Sequence, residues 1–536
     1  MKRFNYLKGL RILFAILFFV PLLLLFVDFA GKLPEGLQVF AHIQLIPALL
    51  GGMAGIVVVQ LLLAFFFGRI YCSVICPAGI LQDIINRIFC IGKKKKKGIR
   101  RFRYHKPLNW FRYPLLLLTG ILAIAGLTGL CLLLDPYSNF GRVSANLFRP
   151  VVIWGNNVLA DVLMKFDNYA LFHVTISTVT ITGLVAGGIV LFLWIGLVIF
   201  RGRLFCNTIC PVGALLSLFS RYSLFRISFD KEACTHCGNC EHTCKAEAID
   251  SQMLTVDASR CVDCFNCVSS CAKGGLQYRF IPFFQKEKER EEKLETDRSA
   301  TKKTGMESKK ETANSRRIFL ATGATVAATL PLTPLLAKGE NKGNGKKYGR
   351  KKKAPITPPG SVSLERFKDT CTGCHLCVVR CPSQVLQPAG LEYGFDYLLK
   401  PHLAYINSYC NYECTVCADV CPNHAIRPLT KEEKMTTQVG IATFFINRCI
   451  VKREETDCGA CSEHCPTQAV HMVPYKGTLT IPEVNPDLCI GCGGCESICP
   501  VRPRRAIIVR ANETHQTVEK PKEEEVKEVK VDDFGF

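Results

Sequence analysis

Thirty of the 536 residues are cysteine, and twenty-four of these fall into six quartets with the spacing of metal ligands. The first two, CTHCGNCEHTC and CVDCFNCVSSC, carry Cys234, Cys237, Cys240 and Cys244, then Cys261, Cys264, Cys267 and Cys271. Four more lie towards the carboxy terminus, and each ends in Cys-Pro. They are Cys371, Cys374, Cys377 and Cys381, then Cys410, Cys414, Cys417 and Cys421, then Cys449, Cys458, Cys461 and Cys465, and finally Cys489, Cys492, Cys495 and Cys499. In a CxxCxxCxxxC run, three close thiolates take three corners of a [4Fe-4S] cube and the fourth cysteine reaches the neighbouring cluster. Applied to the first pair, that rule puts Cys271 on the first cluster and Cys244 on the second. Zinc would need one closed tetrahedral set per ion, and paired quartets at this spacing suit clusters better. CNYEC opens one of the later quartets and eight residues precede the CxxC of another, but the ligand count is kept. CTGCH at Cys371 to His375 also fits a haem-attachment motif, yet Cys377 and Cys381 complete a quartet there and argue against haem. The expectation is six [4Fe-4S] clusters.

Four further cysteines occur in a repeat. GRIYCSVICPAGIL, from Gly68, returns as GRLFCNTICPVGAL, from Gly202, with eight of fourteen positions identical. Pro77 and Pro211 suit the first position of a new helix and disfavour helix just before it, so Cys76 and Cys210 are expected at a break. A thiol at a helix start is expected to have a lowered pKa. If the repeats pack as pseudo-symmetric halves, Cys72, Cys76, Cys206 and Cys210 converge into a four-thiol site that holds a metal or cycles as dithiols. The competing reading makes them small buried residues shaping a turn. Cys90 and Cys131 have no partner by spacing and read as buried residues.

The elements that must position these cysteines start with apolar runs. The composition is 49% hydrophobic, and a hydrocarbon core of about 30 Å needs about 20 apolar helical residues. Residues 11 to 30, 46 to 67, 113 to 134 and 174 to 200 are candidate spans, with a weaker fifth at 318 to 337. Lys2, Arg3, Lys8 and Arg11 precede the first span, and KKKKK at 93 to 97 with Arg100, Arg101, Arg103 and Lys106 lies between the second and third. Loops 31 to 45 and 135 to 172 are poor in basic residues, which places the amino terminus and both repeats on the cytoplasmic side. The net charge of +22 is then a topology signal and requires no nucleic-acid partner.

The expected fold is an α-helical transmembrane bundle of four spans plus a fifth signal-anchor helix, joined to α+β bacterial ferredoxin-like [4Fe-4S] domains. A four-span membrane domain covers 1–228 and a two-cluster ferredoxin domain 229–280. A charged linker, 281–314, has too little apolar surface to fold. Within 315–338, Ser315, Arg316, Arg317, Phe319 and Leu320 are similar to a twin-arginine export signal. A basic linker, 339–360, leads to a four-cluster domain at 361–510 and a charged tail at 511–536. Export as a folded unit suits a domain whose clusters are assembled before translocation, although KKYGRKKK at 346–353 opposes it by charge.

With those motifs in place, the first 280 residues resemble the NapH family of membrane ferredoxin-type quinol dehydrogenases. The remainder resembles NapG, the exported four-cluster partner, including VGIATFFINRC between its second and third quartets. The resemblance implies a fusion of the two, in which quinol is oxidised at the membrane and electrons pass through clusters to a soluble periplasmic reductase. It places the protein in the bacterial cytoplasmic membrane, with the two-cluster domain inside and the four-cluster domain outside. It also implies that the outer carboxy-terminal quartets exchange fourth cysteines, Cys499 serving the first cluster and Cys381 the last, as do the inner two. His42 and His173, near the outer starts of spans two and four, are candidates to meet a quinone head group. An alternative is a CcoG-like maturation factor that reduces metal or thiols for another enzyme, and a third reading is a passive cluster scaffold. No nucleotide-binding glycine fingerprint or nucleophile-base set stands out. One difficulty is left: nothing obvious carries electrons across the bilayer, unless quinone or a cofactor on the CxxxCP cysteines does so.

Overall fold

A computed structural model describes residues 6–93, 102–124, 129, 133–175, 180–282 and 354–519. The charged linker, the twin-arginine-like segment and the fifth apolar helix lie outside the described residues, as do Cys131, the side chain of Cys90 and the end of the tail. The described residues from 6 to 279 and from 354 to 519 belong to one compact unit.

Among the described residues two helices are long and apolar enough to cross a membrane, α1 (Tyr6–Val27) and, counting on through the helical part, α8 (Ile181–Arg201). Between them the second expected span is divided. Gly51 and Gly52, the latter in the left-handed region at φ +71°, separate α2 (Leu45–Leu50) from α3 (Ala54–Phe67). At 1.5 Å per residue, the 14-residue α3 is about 21 Å long. Both repeats then run into helices that begin at proline, α4 (Pro77–Lys93) and α9 (Pro211–Ser220). The third expected span is represented by α5 (Asn109–Ile124).

The region expected as a loop, 135 to 172, is largely helical. Asp135 caps α6 (Pro136–Val143), accepting the backbone N–H groups of Tyr137 at 3.2 Å and Ser138 at 2.9 Å, with Pro136 at the first helical position. A π-helical turn, Ser144–Phe148, continues it into α7 (Arg149–Met164). Every residue of α6 is buried, and Phe140 packs edge-on against Phe19 of α1 at 5.5 Å. The segment is therefore part of the bundle.

The first ferredoxin region pairs β1 (Phe225–Phe229) with β4 (Leu276–Phe280) and β2 (Ile249–Asp250) with β3 (Thr255–Val256). In the carboxy-terminal region, β5 (Leu386–Pro388) pairs with β6 (Pro401–Leu403), and β8 (Val470–Lys476) pairs with β9 (Leu479–Val484). β7 (Thr437–Phe444) and β10 (Ile507–Thr517) form an antiparallel ladder in the register Ile507 to Phe444. These short pairs are the scaffold on which the cysteine loops hang.

The two ferredoxin regions pack on opposite ends of α1. At its start, Arg11 donates to Asp83 on α4 at 2.7 Å and to the Ser73 carbonyl. Asp83 also pairs with Arg203 and with Lys245 of the first ferredoxin region. Just past its end, Asp28 pairs with Arg380 of the carboxy-terminal region. From Arg11 to Asp28 the helix rises about 25 Å, within a 22-residue α1 of about 33 Å.

Burial alone would raise the Asp83 pKa, but Arg203, Lys245 and Arg11 hold its carboxyl well below the usual carboxylate range. That contribution to stability is present above the unfolded-state pKa and is lost as pH falls through the folded-state value. Breaking one partner of a buried ionic cluster costs about 3–5 kcal/mol. Asp83→Asn is expected to destabilise the purified protein by about that amount at neutral pH, and thermal unfolding followed by cluster bleaching measures it. The difference from wild type should shrink towards acid pH.

Candidate iron-sulfur centres and the paired cysteine turns

Each CxxC loop presents its thiols from a turn and a short helix, with backbone in the left-handed region at Gly238, Phe265, His375 and Gly493. That conformation turns the chain back around a common centre. Cys234, Cys237 and Cys240 line one hollow with Cys271. Cys371, Cys374 and Cys377 line another with Cys421, and Cys449, Cys458 and Cys461 line a third with Cys499. Cys267 lies within electrostatic reach of Cys264 and Cys244, and Cys261 of Cys267 and Cys244. In the same way Cys417 is near Cys410, Cys381 and Cys414, and Cys495 is near Cys492, Cys489 and Cys465.

Six four-thiol groups result, numbered I to VI by the first cysteine of each. The first pair follows the expected exchange, with Cys271 in I and Cys244 in II. The carboxy-terminal pairing corrects the one implied by family resemblance. Cys421 closes site III and Cys381 closes site IV, while Cys499 closes site V and Cys465 closes site VI. Neighbouring quartets exchange cysteines because each pair folds as a local unit. Among the described residues no three His, Cys, Asp or Glu side chains could grip a single metal ion. A zinc site needs one closed set of sulfurs at about 2.3 Å, whereas quartets that exchange their fourth cysteines in pairs follow the two-cluster ferredoxin arrangement.

The sites run in series. Cys410 of site IV donates its backbone N–H to the Cys492 carbonyl of site VI at 2.9 Å, and Cys495 of site VI is near Cys461 of site V. Site III faces the helices. Arg142 of α6, fully buried, donates to the carbonyls of Gly373 at 3.1 Å and Thr372 at 3.0 Å. His375 is 1% exposed, with Nε2 against the Leu399 carbonyl at 3.0 Å and Nδ1 against the Asn146 amide at 3.1 Å. Both ring nitrogens are engaged, which further disfavours the haem reading of CTGCH.

The CxxxCP cysteines do converge. Cys76 is within electrostatic reach of Cys72 and Cys206, and Cys210 of Cys206, Cys76 and Cys72. Both turns close with the same wide hydrogen bond, Cys76 N–H to the Tyr71 carbonyl and Cys210 N–H to the Phe205 carbonyl, each 2.9 Å. Such π-type turns recur at functional sites. Arg69 of the first repeat donates to the Cys206 carbonyl at 2.9 Å, and Arg203 of the second donates to the Cys72 carbonyl at 2.7 Å. The expected activation of these thiols is corrected: burial pushes Cys76, Cys206 and Cys210 up, Cys206 to about 11, against the helix-start effect. Gly68 and Gly202, both in the left-handed region, press on Asp263 and Lys245, so the repeats abut site II. A side chain at either glycine would collide there.

His42 and His173 are not brought together. His42 lies beside His424, ring centroids 5.7 Å apart, and burial followed by the His424 charge lowers its pKa. His173 is exposed and paired with Asp161 at 2.9 Å. Sequence reading missed Arg69, Arg203, Asp83 and Arg142. The first two stood at identical positions of the repeat, which was the available signal.

Family models described as "4Fe-4S dicluster domain" match residues 226–272, 257–385, 370–441 and 456–502. Another, described as "4Fe-4S binding domain", matches 46–98 and 184–232, the segments around the CxxxCP turns. The ferredoxin-type protein NapF of Escherichia coli K12 is 29% identical over 155 residues, 28% of this chain and 86% of NapF. The ferredoxin-type protein NapG of the same organism is 28% identical over 196 residues, 35% of this chain and 81% of NapG. The methylamine utilization ferredoxin-type protein MauM of Methylobacillus flagellatus is 27% identical over 162 residues, 27% of this chain and 63% of MauM. This chain is a ferredoxin-like iron-sulfur electron carrier. It binds [4Fe-4S] clusters. No solved structure matches the carrier. One dicluster match, 257–385, joins the quartets at 261–271 and 371–381. In the structure those quartets exchange no cysteine.

Double substitutions test the pairing. Cys421→Ala and Cys371→Ala are expected to perturb the same cluster, each removing up to about four iron atoms, with no further loss when combined. Cys499→Ala combined with Cys371→Ala is expected to remove about eight. Iron, zinc and acid-labile sulfide analysis with low-temperature EPR reads the result.

Proposed function

We propose that the carrier moves electrons between membrane quinol and a soluble redox partner, as a fusion of a NapH-type membrane part with a NapG-type four-cluster part. The observation that carries this reading is the docking of one ferredoxin region at each end of α1. A helix of about 33 Å with Leu13, Phe14, Ile16 and Leu17 exposed suits lipid contact. Exposed Phe192 and Phe200 on α8 support the same surface.

In this reading the bundle, counting α2 with α3 as one crossing and α5 as another, is a four-span membrane domain in the bacterial cytoplasmic membrane. The basic loop at 93–106 favours placing sites I and II in the cytoplasm, and sites III to VI then face the periplasm after twin-arginine export. Six [4Fe-4S] clusters are held by the six quartets. The protein's contribution is position and potential, because burial and hydrogen bonds to the cysteine loops tune a cluster whose redox chemistry is its own. Site V ends the carboxy-terminal series, with exposed surface around half-buried Cys458 and Cys461, and suits contact with the partner. The quinone head group has no assigned residues; the position of His42 against His424 leaves it a candidate, whereas the Asp161 pair of His173 argues against that residue.

The test is anaerobic mixing of the purified carrier with a soluble quinol. Cluster bleaching followed by many turnovers onto an artificial acceptor is expected. A single turnover that ends in reduced metal or thiols supports the maturation-factor alternative, and no bleaching at all contradicts quinol oxidation.

A further inference from the structure

We propose that Cys72, Cys76, Cys206 and Cys210 together hold one additional iron-sulfur cluster, placed between sites II and III. Each repeat supplies two thiolates, and neither repeat alone has enough ligands. The segments matched as "4Fe-4S binding domain", 46–98 and 184–232, contain these pairs and no ferredoxin quartet. Their convergence in the structure turns two half-sites into one site of four.

The surroundings suit an anionic centre. All four cysteines are 3–4% exposed. Arg69 and Arg203 are 0% and 1% exposed, and a buried guanidinium is costly without a compensating anion. Asp83 answers Arg203. Among the described residues Arg69 makes no ion pair with a carboxylate. Its Nη1 donates to Asn207 and to the Ser259 carbonyl, and its Nη2 donates to the Cys206 carbonyl and to Cys72 Sγ at 3.7 Å. Asp263, which accepts the Arg69 backbone N–H, is a carboxylate within electrostatic reach, and a cluster bearing four thiolates adds negative charge on the Nη2 side, which faces Cys72 and Cys206. The Gly213 N–H, donating to Cys210 Sγ at 3.4 Å, is a hydrogen bond of the kind that tunes such centres.

Position gives the site a task. On one side, Gly68 and Gly202 press on Asp263 and Lys245, beside the site II ligands. On the other, Tyr71 is within electrostatic reach of Cys76 and Asp135, and Tyr137 of Asp135, Cys374 and Cys421 of site III. A relay here takes one electron from one neighbouring cluster and gives one to the other, so that donor and acceptor change by one electron each and the relay returns to its starting state. The relay role rests on the two-sided reading above; the presence of the cluster does not.

The test is iron and acid-labile sulfide per chain, with low-temperature EPR, on the full chain purified anaerobically. Six ferredoxin clusters account for about 24 iron atoms, and wild type is expected to exceed that. Cys76→Ser and Cys206→Ser should each lose the same excess, and the double variant no more, while the EPR signals of the six clusters persist as the control for folding. Wild type at about 24 iron atoms, with Cys76→Ser unchanged, overturns the proposal. If neither variant is recovered, a reductive titration of wild type decides, with about seven one-electron centres expected and about six contradicting. Quinol turnover can fail while this count stands, so the two readings are separable.

Discussion

Two buried arginines, each reaching across to the other repeat, hold the centre of this protein together. Arg69 bonds the Cys206 carbonyl and Arg203 the Cys72 carbonyl, so neither CxxxCP turn is complete without the opposite half. The close approach depends on Gly79 and Gly213, where a side chain would collide with the Cys72 and Cys206 carbonyls. Leaving either guanidinium without its acceptors would strand a buried charge, and this makes the pairing of halves obligatory. The same two residues point outward as well, Arg69 to Ser259 of the first ferredoxin region and Arg203 to Asp83. One pair of side chains thus fixes the repeat, the helices and site II in a single arrangement.

From that centre the other contacts extend in both directions. Asp83 gathers Arg11, Arg203 and Lys245, tying the start of α1 to the first ferredoxin region. At the far end Arg142, Asn146 and Asp28 hold the loop of site III. At the first interface the buried cations meet the Asp83 carboxylate, and at the second Arg142 meets the Gly373 and Thr372 carbonyls of the site III loop. Geometry at the clusters is therefore coupled to packing in the helices, and a carrier whose sites lie in series gains from such rigidity.

The cysteine quartets were fully legible, because ligand spacing is a local property of the chain. The exchange within sites I and II was legible too, following from the loop geometry of a two-cluster unit. The exchange in sites III to VI was not. It depends on which quartets fold against each other, and family resemblance pointed to outer-with-outer where the structure pairs neighbours. Residues 135–172 were read from their poverty in basic residues as a loop, although Asp135-Pro136 carries both a cap and a first-turn signal. The long apolar runs overstated the regularity of the helices, since Gly51 and Gly52 interrupt one of them. Burial of the CxxxCP thiols, which reverses their expected acidity, depends on tertiary packing and leaves no mark at the motif itself.

The central claim is that one chain places ferredoxin centres at the two faces of a membrane. Protease access in sealed spheroplasts and inverted vesicles tests it most directly, using a tag at Phe536 for the four-cluster region and a cleavage site inserted at exposed Met253 for the two-cluster region. The account predicts cleavage of the first only in spheroplasts and of the second only in inverted vesicles. Cleavage of both from the same face would contradict it.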